Sequence, residues 1–460
     1  MNIEPKAYWI AGILFALIVA VSLFLLILPN RQEATVPAAA EETAVPASDQ
    51  PKISTEDPEA ELSDGLSGTE EPPEDPVPAE PEKPLPEPEP VDVQITPRKA
   101  RQVDFSVLVN GIYTTAPTDD NPYSVQRFEG GARMVFYPDE DIAALYLVWN
   151  YLPDYYTIAI DGTRYRYEQP EYLHQYIILP EVSSNVTLIT PNRPSQLCDA
   201  YAFTEGTPPE WVQQWETLPE GEAADMLVFP THSDDEFLFF GGLIPIYAGE
   251  RGLKVQVVYM NQHAGDYIFR THELLNGLWT AGCHLYPVIN PQDDVMPDDY
   301  LQATAIYGYE SFVSFQVEQI RRFRPQVIVE HDFNGEYGHP THILNAYCMA
   351  DAVMQAADPA SFPDSAERYG AWDTPKTYFH LYAENEVILD YDTPLERFDG
   401  ATAAQIAERA YQCYWSQHEY YPYVYFSGPY DSHRFGLFRT TVGYDTGMND
   451  LFENIPQVER

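Results

Sequence analysis

Residues 226–236 read MLVFPTHSDDE: an apolar run of strand type, a proline, then a short polar turn ending in three acids. The run lacks the apolar-polar alternation of a half-exposed strand, and a helical run follows through 237–250. Further along, the same texture recurs. KVQVVYMN (254–261) reads as a second strand, with a helix near 270–281, a short strand at 286–289, a helix near 310–323, the strand QVIVEH (326–331) and a helix from Pro340 onward. Strands alternating with helices of this length imply a Rossmann-like α/β fold, a mostly parallel sheet covered on both faces. In such sheets functional groups gather at the carboxyl ends of the strands.

Two segments put unusual chemistry there. In THSDDE (231–236), His232 and Asp235 stand three residues apart on a strand-to-helix turn, so that imidazole and carboxylate can converge while Asp234 stays free for another task. Acids at this position also suit the positive end of a helix, so the motif alone leaves both readings open. The second segment, EHDFNGEYGHPTH (330–342), follows the fourth strand. Pro340 suits a first helical turn, which sets His339 at the helix start and His342 one turn along on the same face. Together the two segments supply His, Asp and His, a three-ligand set that leaves a fourth position for water, as in a catalytic rather than a structural zinc site. The four cysteines (Cys198, Cys283, Cys348, Cys413) have no C-x-x-C spacing.

MLVFPTHSDDEFLFFGG (226–242), RTHELLNGLWTAG (270–282) and EYGHPTH (336–342) resemble the three signature blocks of the PIG-L/LmbE family of zinc-dependent N-acetylglucosaminyl deacetylases. The resemblance covers roughly 224 to the C-terminus. It implies zinc ligation by His232, Asp235 and His342 and a general base at Asp234. It implies that His339 faces the oxyanion and leaving group, in protonated form able to donate to the departing amine, and that Tyr337 holds the substrate carbonyl. Arg270 and Glu273 match an R-x-x-E block assigned to substrate binding, and Ser416-Gln417 resembles a late family element. The implied reaction is hydrolysis of an N-acetyl group on an amino-sugar substrate, releasing acetate. The sequence departs from the family pattern at Ser233, where proline is usual, and at Thr341, where an acid usually orients the catalytic histidine; Glu330 or Asp332 are candidate substitutes.

Upstream the texture differs. FSVLVNG, ARMVFYP, AALYLVWNY, YTIAIDG, HQYIILP and NVTLIT lie at intervals near 8–12 residues within about 103–219, which predicts an antiparallel sandwich or small barrel. Its aromatics Trp149, Tyr151, Tyr155 and Tyr156 are expected mainly in the core, with sugar stacking as the alternative. Between 31 and 92, eighteen acids stand against three basic residues among many prolines, a composition that predicts a disordered, extended spacer. The uncharged run AYWIAGILFALIVAVSLFLLILP (7–29) is long enough to span a bilayer and reads as an uncleaved signal anchor.

The expected organisation is therefore a cytoplasmic N-terminus (1–6), a transmembrane anchor (7–30), a disordered acidic linker (31–100), a β-sandwich-like domain (101–220) and a deacetylase-like α/β domain (221–460). That order predicts a single-pass cell-membrane protein whose catalytic domain faces outward onto a cell-envelope glycan. The whole chain has 460 residues, 25 Lys plus Arg against 71 Asp plus Glu, and a net charge of −46, which argues against nucleic acid as a partner. The different-class alternative is a surface glycan-binding protein with a degenerate site. His263 and His272 are expected in surface or packing roles, with lining of the pocket as the alternative. The run 430–450, with His433 and Arg434, reads as a closing loop or a substrate-binding flap.

Overall fold

Met226–Val228 lies inside a seven-stranded sheet, hydrogen-bonded in parallel to Val255–Tyr259 on one side and to Val327–Glu330 on the other. A computed structural model describes residues 98–119, 121, 123–263 and 269–456. The full strand order is Val288–Ile289, Val255–Tyr259, Met226–Val228, Val327–Glu330, Lys376–His380, Arg434–Thr440, Glu386–Ile388. The first five run parallel, Arg434–Thr440 is antiparallel to both its neighbours, and Glu386–Ile388 therefore runs in the same direction as the first five. The chain fills the sheet outward from Met226–Val228 in one direction, then returns to its other side. The break in strand order thus falls between Met226–Val228 and Val327–Glu330, where the carboxyl ends of neighbouring strands diverge and leave a crevice.

The two buried faces explain the continuous apolar runs: every residue of Met226–Val228, Val255–Tyr259 and Val327–Glu330 is buried. Phe237, Phe240, Leu243, Leu274 and Leu278 cover one face, and Phe312, Val317, Ile320, Leu344 and Met349 the other. Helices Phe269–Thr280, Tyr309–Phe323 and Pro340–Ala357 fall close to their expected positions. The helix expected over 237–250 does not form as one piece. It is a single turn, Asp235–Leu238, then a turn and a π-helical segment, Pro245–Glu250. Gly241 explains the break: its φ is +54°, and a Cβ there would lie 2.4 Å from Ser432 Oγ and 2.8 Å from the Tyr391 ring.

Ahead of this sheet lie two antiparallel sheets. One orders Gln102–Val103, Ser195–Phe203, Ile142–Trp149 and His174–Ser183, with Gln126–Phe128 also on Ser195–Phe203; the other orders Ile112–Thr114, Phe105–Val109, Arg133–Pro138, Val186–Ile189, Tyr155–Ile160 and Thr163–Glu168. Val107, Met134, Phe136 and Ile158 from one meet Leu145, Leu147, Trp149 and Leu197 from the other in a shared core. Trp149 and Tyr156 are fully buried in it, whereas Tyr151 is exposed and Tyr155 lies under the Arg166 guanidinium, 3.8 Å from its ring centre. The run 430–450 is neither flap nor loose closing loop at its centre, because Arg434–Thr440 pairs with two strands and buries Phe435, Gly436 and Leu437.

One part of the expected fold class is corrected. Among the described residues no helix is long and apolar enough to cross a membrane, so the transmembrane helix, the membrane partner and the single-pass, outward-facing localisation have no support. Length and hydropathy of a string state only a preference for a non-aqueous phase; they do not specify a spanning helix. The expected N-terminus (1–6), anchor (7–30) and linker up to residue 97 lie outside the described residues.

Candidate metal and acyl-transfer site

The turn after Met226–Val228 and the turn after Val327–Glu330 meet across the crevice. His232 Nδ1 lies 3.1 Å from Asp235 Oδ2 and 3.0 Å from His342 Nε2, and His342 Nε2 lies 3.2 Å from Asp235 Oδ2. Three lone-pair atoms so close to one another match a cation between them. A tetrahedral zinc with bonds of about 2.05 Å has ligand–ligand edges of about 3.3 Å.

The outer nitrogens support the same reading. His342 Nδ1 is 2.7 Å from Glu336 Oε2, and His232 Nε2 is 3.4 Å from Asp294 Oδ1. Each carboxylate holds the imidazole proton on the outer nitrogen and leaves the inner one bare, the usual arrangement behind a ligating histidine. Burial alone would lower the His232 pKa, but Asp294 and Asp235 outweigh it and raise it to about 10. A cation bound in the cluster would take the place of that proton.

Glu336 was not singled out by sequence reasoning, yet it organises the cluster. Its side chain is fully buried, and it accepts from Nδ1 of His331 at 3.0 Å, of His342 at 2.7 Å and of His380 at 3.0 Å, and from the Asp332 amide at 3.1 Å. These partners hold its carboxyl well below the ordinary glutamate range despite burial. The residue sits at φ +54° directly after Gly335, whose own φ is +67° and whose Cβ position lies 2.6 Å from the His339 carbonyl. The sequence signal, visible in retrospect, is an acid between glycines in a histidine-dense turn. His331 stacks on His342 at 4.0 Å between ring centres, and its Nε2 already accepts the Thr231 amide, which makes it a buttress. Glu330 and Asp332, the candidate substitutes for the missing acid, turn elsewhere: Glu330 accepts the His331 amide and Asp332 faces Asn334.

Asp234 stands beside the cluster without joining it. Its backbone is strained at φ +136°, its amide donates to Glu236 Oε2 at 3.0 Å, and its carboxylate accepts from Arg270 Nη2 at 3.1 Å. Burial pushes its pKa up and Arg270 pulls it back, leaving it at about 6. Arg270 is itself buried, bonds the Ser233 carbonyl, and pairs with Glu273 at 3.0 Å. Glu273 in turn accepts from Ser416 N at 3.0 Å, Ser416 Oγ at 2.7 Å and Tyr123 Oη at 2.5 Å. Arg270 and Glu273 therefore sit behind Asp234, their charges taken up by neighbours. Ser416 belongs to this chain, and the carbonyl of Ser233 is anchored by Arg270 in place of the rigidity a proline would lend.

His339 caps the helix Pro340–Ala357: its Nδ1 accepts the Thr341 amide at 3.3 Å, which leaves the ring proton on Nε2. Burial, with His232 and His342 close by, lowers its pKa to about 2. The Thr341 amide thus fixes the Nε2–H tautomer, whereas a carboxylate facing Nδ1 would hold the proton there instead. Tyr337 is partly exposed, its ring 5.7 Å from that of His339 and its hydroxyl 2.9 Å from that of Tyr421. Of the remaining histidines, His263 is 3.9 Å from Asp294, and His272 points away from the site, bonded to His174 at 2.9 Å.

The comparisons with known proteins agree with these motifs. The family model described as PIG-L, GlcNAc-PI de-N-acetylase, matches residues 227–357. A 1D-myo-inositol 2-acetamido-2-deoxy-alpha-D-glucopyranoside deacetylase of Rhodococcus erythropolis is 29% identical over 187 residues, covering 34% of this chain and 60% of that protein. One of the same description from Geodermatophilus obscurus is 46% identical over 67 residues, covering 15% and 22%. The chain thus spans no more than about three-fifths of the length of either relative. Among solved structures, an N,N'-diacetylchitobiose deacetylase from Pyrococcus horikoshii aligns at 14% identity and a TM-score of 0.34, covering 43% of this chain and 74% of that one. Both strand-end motifs, His232 to Asp235 and His339 to His342, fall within the matched residues, so the part of the chain that carries them is similar to a PIG-L domain.

Proposed function

We propose that the protein is a zinc-dependent amide hydrolase that removes the N-acetyl group from an N-acetylglucosamine-containing glycan or glycoconjugate. The observation that carries this reading is the convergence of His232 Nδ1, Asp235 Oδ2 and His342 Nε2 within 3.0–3.2 Å of one another, with a buried, unligated carboxylate at Asp234 next to them. The amino-sugar substrate class is supported by the names of the inositol-linked deacetylases that the chain resembles. With the membrane placement withdrawn, the restriction to a cell-envelope glycan loses its basis.

When bound, zinc supplies Lewis acidity toward a water molecule and an acyl oxygen. Asp234 takes the proton of the attacking water, a task suited to a carboxylate whose pKa lies at about 6, ionised at neutral pH yet basic enough to accept. Arg270 keeps that carboxylate ionised and fixes its direction. His339 donates from Nε2–H to the developing oxyanion as a neutral imidazole, since its pKa is held at about 2. This differs from the protonated donor inferred from family resemblance, and the proton for the departing amine comes instead from Asp234, which has just acquired one. Tyr337, with its hydroxyl at the mouth of the site, hydrogen-bonds the acetamide carbonyl.

The test is acetate release by the purified full chain from N-acetylglucosamine and its conjugates, with and without a chelator. Chelator-sensitive acetate release is expected. Tight zinc binding with no acetate from any acetylated amino sugar, at turnover indistinguishable from an Asp234→Asn variant, would overturn the reading.

A further inference from the structure

Trp415 is 54% exposed, an unusual state for so large a ring. Tyr123, from the β-rich half, meets it edge-on with ring centres 4.0 Å apart and an interplanar angle of 75°, and Phe269 packs behind Tyr123 at 4.9 Å. The Tyr123 hydroxyl donates to Glu273, and the residue after Trp415, Ser416, binds Glu273 through both its amide and its hydroxyl. Glu273 holds Arg270, and Arg270 holds Asp234. An exposed indole and a tyrosine from a different part of the fold are thus tied by one short chain of hydrogen bonds to the carboxylate beside the metal cluster. The site needs neither ring for its chemistry.

A pre-ordered aromatic pair at the junction of two structural units, next to a reactive centre, has the character of a ligand subsite. Tyr123 is already tied to Glu273 and packed between Phe269 and Trp415, so little ordering entropy is lost when a ligand covers the exposed face. The nearby charges are one cation, Arg270, against two acids, Asp234 and Glu273, a net −1 that offers nothing to attract an anionic group. A flat indole face with hydroxyl and carboxylate groups at its edge suits a neutral ring that is apolar on its face and hydroxylated at its rim, as a pyranose is.

We infer that Tyr123 and Trp415 form a sugar-stacking subsite, shared between the β-rich half and the α/β domain, that binds the saccharide unit adjoining the N-acetylglucosamine being deacetylated. The substrate class is then an oligosaccharide rather than a single amino sugar. This rests on the deacetylase reading, and the experiment separates the two. N-acetylglucosamine and its β-1,4-linked trimer are titrated calorimetrically into the zinc-loaded full chain, and acetate release from each is followed in parallel. The wild type is expected to favour the trimer by about tenfold or more, Trp415→Ala to lose most of that ratio, and Trp415→Tyr to recover it, the scale of a single aromatic stacking contact. A trimer-to-monomer ratio near one in the wild type, or one unchanged in Trp415→Ala, overturns the subsite, whatever the acetate result. Trp415-dependent trimer binding without acetate release keeps the subsite and removes the hydrolase.

Discussion

Replacing Glu336 by glutamine tests the organisation of the metal cluster. The carboxylate accepts three imidazole N–H groups at 3.0, 2.7 and 3.0 Å, all from fully buried side chains. Glutamine keeps the shape but supplies only one acceptor atom and turns an NH2 group toward at least one N–H. Charge-assisted bonds of this kind contribute about 1.5–3 kcal/mol each, and removing the shared partner of a buried ionic group costs about 3–5 kcal/mol. Two effects separate. Apo-protein stability, from urea unfolding, is expected to fall by about 3–5 kcal/mol, because His331 and His380 lose their anchor as well as His342. Zinc affinity, from competition with a chromophoric chelator, is expected to fall by about 10- to 100-fold, because His342 no longer keeps its proton on the outer nitrogen. Glu336 has a depressed pKa, so its stabilisation is present above the ordinary glutamate range and drains only as pH falls below it. A variant binding zinc within twofold of wild type would refute the claim that Glu336 sets the His342 tautomer, even if stability fell.

Asp234→Asn is expected to lower kcat for acetate release by about 100- to 10 000-fold while zinc content, measured by elemental analysis, is retained. The acid limb of the kcat profile should lie near pH 6, with activity rising as Asp234 loses its proton; Arg270→Gln removes the charge that lowers that pKa, so the limb should move to higher pH, and an unmoved limb refutes the pairing. Gly241→Ala places a methyl 2.4 Å from Ser432 Oγ at φ +54° and should cost about 2–5 kcal/mol in urea unfolding, with a cost under about 1 kcal/mol counting against the steric account.

The parts legible in the sequence were those that depend on neighbours along the chain. Continuous apolar runs marked strands buried on both faces, and the polar turns after 226–230 and 326–331 marked strand ends, because burial and turn chemistry are local. The helix expected over 237–250 failed where a through-space contact intruded, with Tyr391 and Ser432 pressed against Gly241 from far along the chain. Asp294 and His380 were invisible for the same reason: each joins the cluster from beyond a different strand, and nothing near it in sequence signals that it will. Arg270 and Glu273 were recognisable as a motif, but whether they face ligand or protein is decided by Ser416 and Tyr123, which lie 143 and 150 residues away.

The helix Phe269–Thr280 shows why the β-rich half is more than an appendage. At about 100° per residue, Arg270 and Glu273 fall on one side and His272 on the other. The first side reaches Asp234. The second is buried against the β-rich sheet, where His272 Nδ1 bonds His174 Nε2 at 2.9 Å, His174 Nδ1 bonds the Tyr146 hydroxyl at 2.9 Å, and the far ring nitrogen of His272 meets Cys198 Sγ at 3.6 Å. Burial lowers both histidine pKa values, that of His272 to about 4, so the chain is neutral and adds no charge to a dry interface. Neutral groups at an interface cost little to bury when each finds a partner, whereas the ionic groups on the opposite side of the same helix need fixed geometry to act. The β-rich half supplies that fixity: by clamping one side of the helix through neutral bonds, it holds the charged side in register with Asp234.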